Sequence, residues 1–309
     1  MELGRFAPSP SGRMHLGNVF SALLSWLSAR HDGGAVLLRI EDLDPARSRQ
    51  EYIDAILDDF LWLGLPWDER SENQSLRAPR YNEILRELDR RGLLYPCYCT
   101  RDQLHAASAP HASDGRVIYA GTCRDLTPAQ RVSRTKAPCL RIRVPDEEIA
   151  FTDGLQGRQA MNLREEWGDF IVRRADGVAA YQLAVVADDG GSGVTQVVRG
   201  RDLLSSTPVQ LWLYRLLELT PPRFYHVPML LSPDGRRLSK RDRDLDLSRL
   251  REIWPPERII GLLAHACGLI DRWEDVSPAE LISEFSWRKI RPGDITLDPA
   301  LLPEWHPSP

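Results

Sequence analysis

Residues 5–18 read RFAPSPSGRMHLGN: a short apolar run, two prolines, two glycines, and a lone histidine where an apolar-periodic segment begins. Pro8 and Pro10 stiffen such a turn, and Gly12 and Gly17 let the backbone approach a ligand closely. His15 at a helix mouth can donate a hydrogen bond to a phosphate or ribose oxygen. Alone, the stretch reads equally as a proline-rich surface turn. A second group lies far down the chain, where GRRLSKRD sets Ser239 and Lys240 in a glycine-containing basic loop. From Gly235 to Arg251 seven basic residues stand against three acids, a local net charge of +4. That is the composition of an element that closes on a polyphosphate, and by itself also of a solvated turn. A third group is sulfur. Cys97, Cys99 and Cys123 offer three thiolates to a tetrahedral zinc, with His105, His111 or Cys139 as the fourth donor on chemical grounds. Five cysteines in such a chain read as metal ligands or core rather than disulfides, and Cys267 in LLAHACGLI as a buried small hydrophobe.

These groups need a frame to bring them together. The chain has 309 residues, 42% hydrophobic and 27% charged, which suits a globular protein of two or three compact units. No run approaches the ~20 apolar residues of a membrane span and no basic-apolar leader opens the chain, so a cytoplasmic protein with no membrane partner is expected. A net charge of −4 argues against nonspecific coating of nucleic acid but leaves room for a local basic patch. Strand-like LGRFAPS and AVLLRI alternate with helical VFSALLSWLSARHDG, EYIDAILDDFLWLGL and PRYNEILRELDRRG, which predicts a doubly wound parallel α/β sheet. The rhythm stops over 96–167, read as an insertion, and resumes with two further strand-like runs, YQLAVVADD and VTQVVRG. The helix in SSTPVQLWLYRLLELT is expected to begin with Thr207 as cap and Pro208 as first helical residue. The catalytic unit is therefore expected at 1–95 and 168–220, and a mainly helical region carrying the basic loop at 221–309. Ser277 and Glu280 have capping-box spacing there.

A Pro/Gly turn bearing HLGN and a later LSK are together the two signatures of class I aminoacyl-tRNA synthetases. RFAPSPSGRMHLGN, RIEDLDPARS, YQLAVVADD, VVRGRDLLSSTPVQ and LSK, in order over residues 5–241, resemble the glutamyl-tRNA synthetase series. The early stop and the spacing of Cys97 and Cys99 to Tyr119 and Cys123 resemble its shorter paralogues, which glutamylate queuosine in tRNA(Asp). Arg237 and Arg241 replace a lysine and a small residue of the basic signature, while Ser239 and Lys240 keep its centre.

The resemblance implies a Rossmann-like catalytic half without an anticodon-binding domain, acting as a monomer on L-glutamate, ATP and the tRNA(Asp) anticodon stem-loop. It implies glutamate binding by Arg5, Phe6, Ala7, Pro8, Ser9, Glu41, Tyr181 and Arg199, and ATP binding by His15, Gly17, Asn18, Ser239 and Lys240. Of these, His15 and Lys240 are the expected catalytic residues, with Mg²⁺ accompanying ATP. Two cationic forks and one carboxylate are the set that suits a zwitterion with two carboxylates, and Arg5, Arg199 and Glu41 supply it. Which arginine meets which carboxylate stays open. The family pattern puts Tyr119 with Cys97, Cys99 and Cys123 on one structural zinc. Alternatives are a synthetase charging a tRNA 3′ end, a nucleotidyltransferase of the same superfamily, and a zinc-containing RNA-binding module without catalysis.

Overall fold

Short apolar runs and amphipathic segments alternate from the first residues of the chain, and the computed structural model turns that rhythm into parallel strand–helix units. It describes residues 2–100, 118–236, 238, 246–298 and 302. The first units are β1 (Leu3–Phe6), α1 (Leu16–His31), β2 (Ala35–Leu38), α2 (Gln50–Trp62), β3 (Glu69–Arg70) and α3 (Ala78–Arg90). β1, β2 and β3 form one parallel sheet, with Arg5 opposite Leu37.

An antiparallel layer follows. β4 (Leu94–Cys97), the short α4 (Pro128–Val132), β5 (Cys139–Ile142) and the hairpin β6 (Glu148–Asp153) and β7 (Gly157–Asn162) lead to β8 (Phe170–Arg173). β4, β5 and β8 pair in that order, so this sheet straddles the expected 96–167 insertion at both ends.

The parallel pattern then returns with α5 (Tyr181–Gly191), β9 (Gln196–Gly200), α6 (Thr207–Leu216) and β10 (Arg223–Val227). β9 pairs with β10 in parallel and lies beside β1, to which it is tied by the Thr195 N–H donating to the Leu3 carbonyl at 3.0 Å. The remaining elements are β11 (Leu230–Leu231), α7 (Leu247–Ile253), α8 (Pro256–Ala266) and β12 (Ile295–Thr296), which pairs with β11.

Successive strand residues point to opposite faces. Val36 and Leu38 enter one hydrophobic core, with α1, α2 and α8, while Leu37 enters another, with α3, α5 and α6. Val198 and Val197 divide the same way. The sheet is therefore covered on both faces, as a doubly wound fold requires. Among the described residues no helix is long and apolar enough to cross a membrane.

Three local expectations are corrected. YQLAVVADD is a helix, α5, and not a strand: Leu183 to Asp189 are all buried, and a segment buried all round shows no periodicity that separates helix from strand. Thr207 is the first helical residue and Ser206 holds the cap position without a side-chain bond, because the 3-10 turn Arg201–Ser206 runs straight into α6 in helical dihedrals; the Thr207 hydroxyl meets Arg199 instead. After α8 the described residues up to 298 run mostly in turns. Ser277 and Glu280 do exchange their reciprocal bonds, but on a turn.

Candidate active site

Strand β1 ends at Phe6, and residues 7–15 swing across the top of the sheet into α1, so the turn lies beyond the strand ends where doubly wound folds bind ligands. A cleft of about 550 Å³ opens there. Arg5 to Ser9, His15, Gly17, Asn18, Glu41, Tyr181 and Arg199 all line it. The structure thus brings together, from four separate segments, every described residue expected at the glutamate and nucleotide sites. Ser239 and Lys240 lie outside the described residues. Leu238 lines the cleft, and Asp246 forms a backbone bridge with His15.

His15 caps α1. Its Nδ1 accepts the Gly17 N–H at 3.1 Å, while the Asn18 side-chain oxygen accepts the His15 N–H at 3.2 Å. With Nδ1 accepting, the neutral ring carries its proton on Nε2, the tautomer that can donate. A Cβ at position 17 would stand 3.0 Å from the imidazole, so glycine permits this close cap.

Beneath the turn is a buried charge network. Arg5 is 5% exposed and its Nε lies 3.3 Å from Asp189. Arg39, fully buried, reaches Asp189 at 2.6 Å and Glu41 at 3.0 Å. The neighbouring Asp188 accepts from Gln74 and Tyr81, each at 2.7 Å, and pairs with Arg77 at 3.0 Å. Buried charges persist only when paired in this way. Burial pushes the Glu41 carboxyl above its ordinary range despite Arg39 and Arg5. Burial also works to raise Asp189, but Arg39 and Arg5 overcome it and hold that carboxyl low.

Arg199 is equally buried, yet differently held. Its Nε donates to His226 Nε2 at 3.0 Å and its Nη2 to the Thr207 hydroxyl at 2.9 Å. Nη1 has no hydrogen-bond partner among the described residues, and no carboxylate there is within ion-pair distance of Arg199. Tyr181, 37% exposed at the start of α5, completes the wall. Two guanidiniums, a carboxylate and a helix mouth in one cleft can hold a dicarboxylic zwitterion beside a polyphosphate.

Sequence reasoning missed Arg39, Asp188, Asp189, Asp153 and His226. The available signals were a lone arginine inside the apolar AVLLRI and two acids ending the apolar run of α5.

In the antiparallel layer the sulfurs of Cys97, Cys99 and Cys123 lie within 4.8 Å of one another. The Tyr119 hydroxyl stands 3.5 Å from Cys97 Sγ and 4.0 Å from Cys99 Sγ, and Cys99 Sγ is 3.7 Å from Cys123 Sγ. Zinc–sulfur bonds of about 2.3 Å in a tetrahedron place sulfurs about 3.8 Å apart, so these donors fit zinc. Tyr119 also accepts the Cys123 N–H at 2.7 Å, and the Arg141 guanidinium lies 3.8 Å over its ring. Cys139, opposite Cys97 across β4 and β5, instead donates to the Cys97 carbonyl. His105 and His111 lie outside the described residues. Cys267 is buried apart from these, its thiol pushed up to about 12 by burial.

Residues 3–258 match the family described as tRNA synthetases class I (E and Q), catalytic domain. The chain belongs to this family. It is 50% identical over 305 residues to a glutamyl-Q tRNA(Asp) synthetase of Symbiobacterium thermophilum, covering 94% of each chain. It is 47% identical to one of Nitratidesulfovibrio vulgaris, covering 92% of this chain and 91% of that one. A glutamate–tRNA ligase of Geobacter sulfurreducens is 43% identical over 91% of this chain and 60% of its own. Among solved structures, a glutamate tRNA ligase from Elizabethkingia meningosepticum in complex with its amino acid superposes with a TM-score of 0.82 at 27% identity. That match covers 97% of this chain and 68% of the other. The class I synthetase fold thus accounts for the α/β architecture described above.

Proposed function

We propose that the cleft activates L-glutamate with ATP and passes the glutamyl group to queuosine of tRNA(Asp). The observation that carries the activation step is the meeting of Arg5, Arg199 and Glu41 with the His15 helix mouth in one cleft. The glutamate α-carboxylate attacks the α-phosphorus of ATP, forming glutamyl-adenylate as the bond to pyrophosphate breaks. No side chain need form a covalent bond; positioning and charge neutralisation drive such transfers. Arg5 and Arg199 bind the carboxylates, Glu41 takes the ammonium, and Tyr181 packs against the amino acid. His15 Nε2–H donates to a phosphate or ribose oxygen, and Gly17 and Asn18, assigned to the same nucleotide site, hold the imidazole there through the cap bonds. Ser239 and Lys240 are assigned to the departing pyrophosphate. Magnesium carried by ATP supplies further charge neutralisation on the phosphates.

The acceptor is supported by relatives named glutamyl-Q tRNA(Asp) synthetase at 50% and 47% identity. The mixed anhydride acylates a hydroxyl of the queuosine cyclopentene-diol, with the anticodon stem-loop lying where an acceptor stem lies in glutamate–tRNA ligases. We further assign one structural zinc to Cys97, Cys99, Cys123 and Tyr119, where it would tie the end of β4 to the segment around Cys123 without entering the chemistry. The catalytic unit is assigned to 1–95 and 168–220, and the chain is read as a cytoplasmic monomer.

The test is transfer of labelled glutamate to tRNA(Asp) with and without queuosine, and to tRNA(Glu). Labelling confined to queuosine-containing tRNA(Asp) is expected. Charging of tRNA(Glu) at its 3′ end, or equal labelling of queuosine-free tRNA(Asp), would overturn the acceptor assignment.

A further inference from the structure

Among the described residues, Arg199 differs from the other buried arginines at the cleft, Arg5 and Arg39, in having neutral hydrogen-bond partners only. Arg5 and Arg39 are neutralised by Asp189, and Arg39 also by Glu41. Arg199 donates instead to an imidazole nitrogen, a hydroxyl oxygen and, at 3.5 Å, the Leu203 carbonyl. The nearest carboxylate along that chain of bonds is one ring further away: Asp153 Oδ2 lies 2.6 Å from His226 Nδ1, and both side chains are fully buried.

Directionality fixes the protons. A guanidinium only donates, so His226 Nε2 must accept from Arg199 Nε. The ring proton must then sit on Nδ1 and be donated to Asp153. An imidazolium would aim a second N–H at Arg199, and the opposite tautomer would do the same while leaving Nδ1 facing a carboxylate. The Thr207 hydroxyl, 3.2 Å from Nε2, can donate to the same nitrogen, so the neutral Nδ1–H ring satisfies Arg199, Thr207 and Asp153 together. Asp153 is itself fixed, because its Oδ1 also accepts the N–H groups of Leu155 and Gln156 at 3.0 and 2.8 Å.

Asp153 belongs to the β6–β7 hairpin of the antiparallel layer, yet it acts on the parallel sheet. The turn of that hairpin is clamped to β10: Gly154 N–H donates to the Phe224 carbonyl at 2.8 Å, and Gln156 Nε2 to the His226 carbonyl at 2.8 Å. A Cβ on Gly154 would lie 2.1 Å from the Tyr225 ring, so the turn approaches β10 as closely as glycine allows.

We infer that Asp153 and His226 are positioning residues for glutamate recognition: a neutral histidine, held in one tautomer by a buried aspartate of the hairpin, orients Arg199 while withholding a counter-charge from it. The consequence is that the Arg199 charge stays available for a carboxylate of the substrate. A carboxylate in the place of His226 would orient the guanidinium equally well but neutralise it. An apolar ring would leave its Nε buried without an acceptor and the guanidinium held only through Nη2, by Thr207 and the Leu203 carbonyl. The inference rests on the glutamate-activation reading, and its first test needs no substrate.

That test is ¹⁵N NMR of the wild-type chain with labelled histidine near pH 7, His226 being assigned by its loss in His226→Gln. A neutral Nδ1–H tautomer is expected; an Nε2–H tautomer or an imidazolium overturns the relay, whatever the enzyme does. The second test is glutamate-dependent ATP–pyrophosphate exchange. His226→Phe should raise the KM for glutamate at least about tenfold with the KM for ATP within about twofold. His226→Gln, which returns an acceptor to Arg199, should recover most of that loss, and Asp153→Asn should fall between. Equal effects on glutamate and ATP, or a Gln variant no better than Phe, would reduce His226 to a packing residue. Failure of wild-type exchange would count against the proposed function, whereas the NMR result stands by itself.

Discussion

The cleft floor and the cysteine cluster are both gatherings of reactive side chains, but they are held by different means. In the floor, Arg5, Arg39 and Arg77 pair with Glu41, Asp188 and Asp189, and strands and helices of both cores surround them. Its geometry is complete from protein groups alone, so the amino-acid site is preorganised by folding. Among the described residues the cysteine cluster lies in a small core of Tyr95, Cys97, Tyr119 and Cys123, with Tyr98, Cys99, Leu126 and Cys139 packed against it, and its three thiol sulfurs converge. Under the proposed zinc assignment, folding brings those donors together and the ion would reward their convergence. The chain thus buries paired charge in the cleft floor, whereas the cysteine donors lie at the edge of an antiparallel layer whose strands are held by apolar packing of Leu94, Ile142, Phe170 and Val172.

The sharpest way to break this contrast is to unbalance the floor. Asp189→Ala strips Arg5 and Arg39 of their common partner and should destabilise the chain by about 3–5 kcal/mol, read by chemical denaturation. A change below 1 kcal/mol (roughly the worth of an exposed pair) would mean that the network does not hold the floor together. Arg199→Gln should be milder for folding, since that guanidinium has no ion-pair partner among the described residues, but should raise the KM for glutamate roughly thirtyfold, about 2 kcal/mol, with ATP little changed. A parallel rise for both substrates would dissolve the division of the cleft. Lys240→Ala tests the nucleotide side, where exchange should slow at least about tenfold, about 1.4 kcal/mol of barrier, without loss of folding.

For the cysteine cluster, purified protein should carry about one zinc per chain, and Cys99→Ser should lower it while glutamate-dependent exchange persists in part. Tyr119→Phe keeping full zinc would return the fourth position to another donor. The smallest effect expected is on pH. Burial holds the His226 imidazole below its ordinary 6.5 despite Asp153. Between that value and its depressed folded value the unfolded chain binds the extra proton, so stability falls as pH drops through this window and is regained as pH rises. His226→Gln should flatten that slope in denaturation curves recorded across pH 5–7.

Much of this was legible in the sequence because it rests on local chemistry. The Pro/Gly turn, the histidine before an apolar helix, the alternation of AVLLRI with amphipathic segments, and the cysteine spacing all depend on neighbours within a few residues. Tyr181 was legible as a site residue only through family resemblance, and the helix it begins was misread, because α5 is buried all round. What only the tertiary structure decided is how distant groups neutralise or orient one another. Asp153 meets His226 across 73 positions, and Asp189 meets Arg39 across 150. Periodicity reports which face of an element is buried. It carries no record of which buried charge will find which partner, since that depends on strand order, hairpin docking and the directions in which N–H groups can donate.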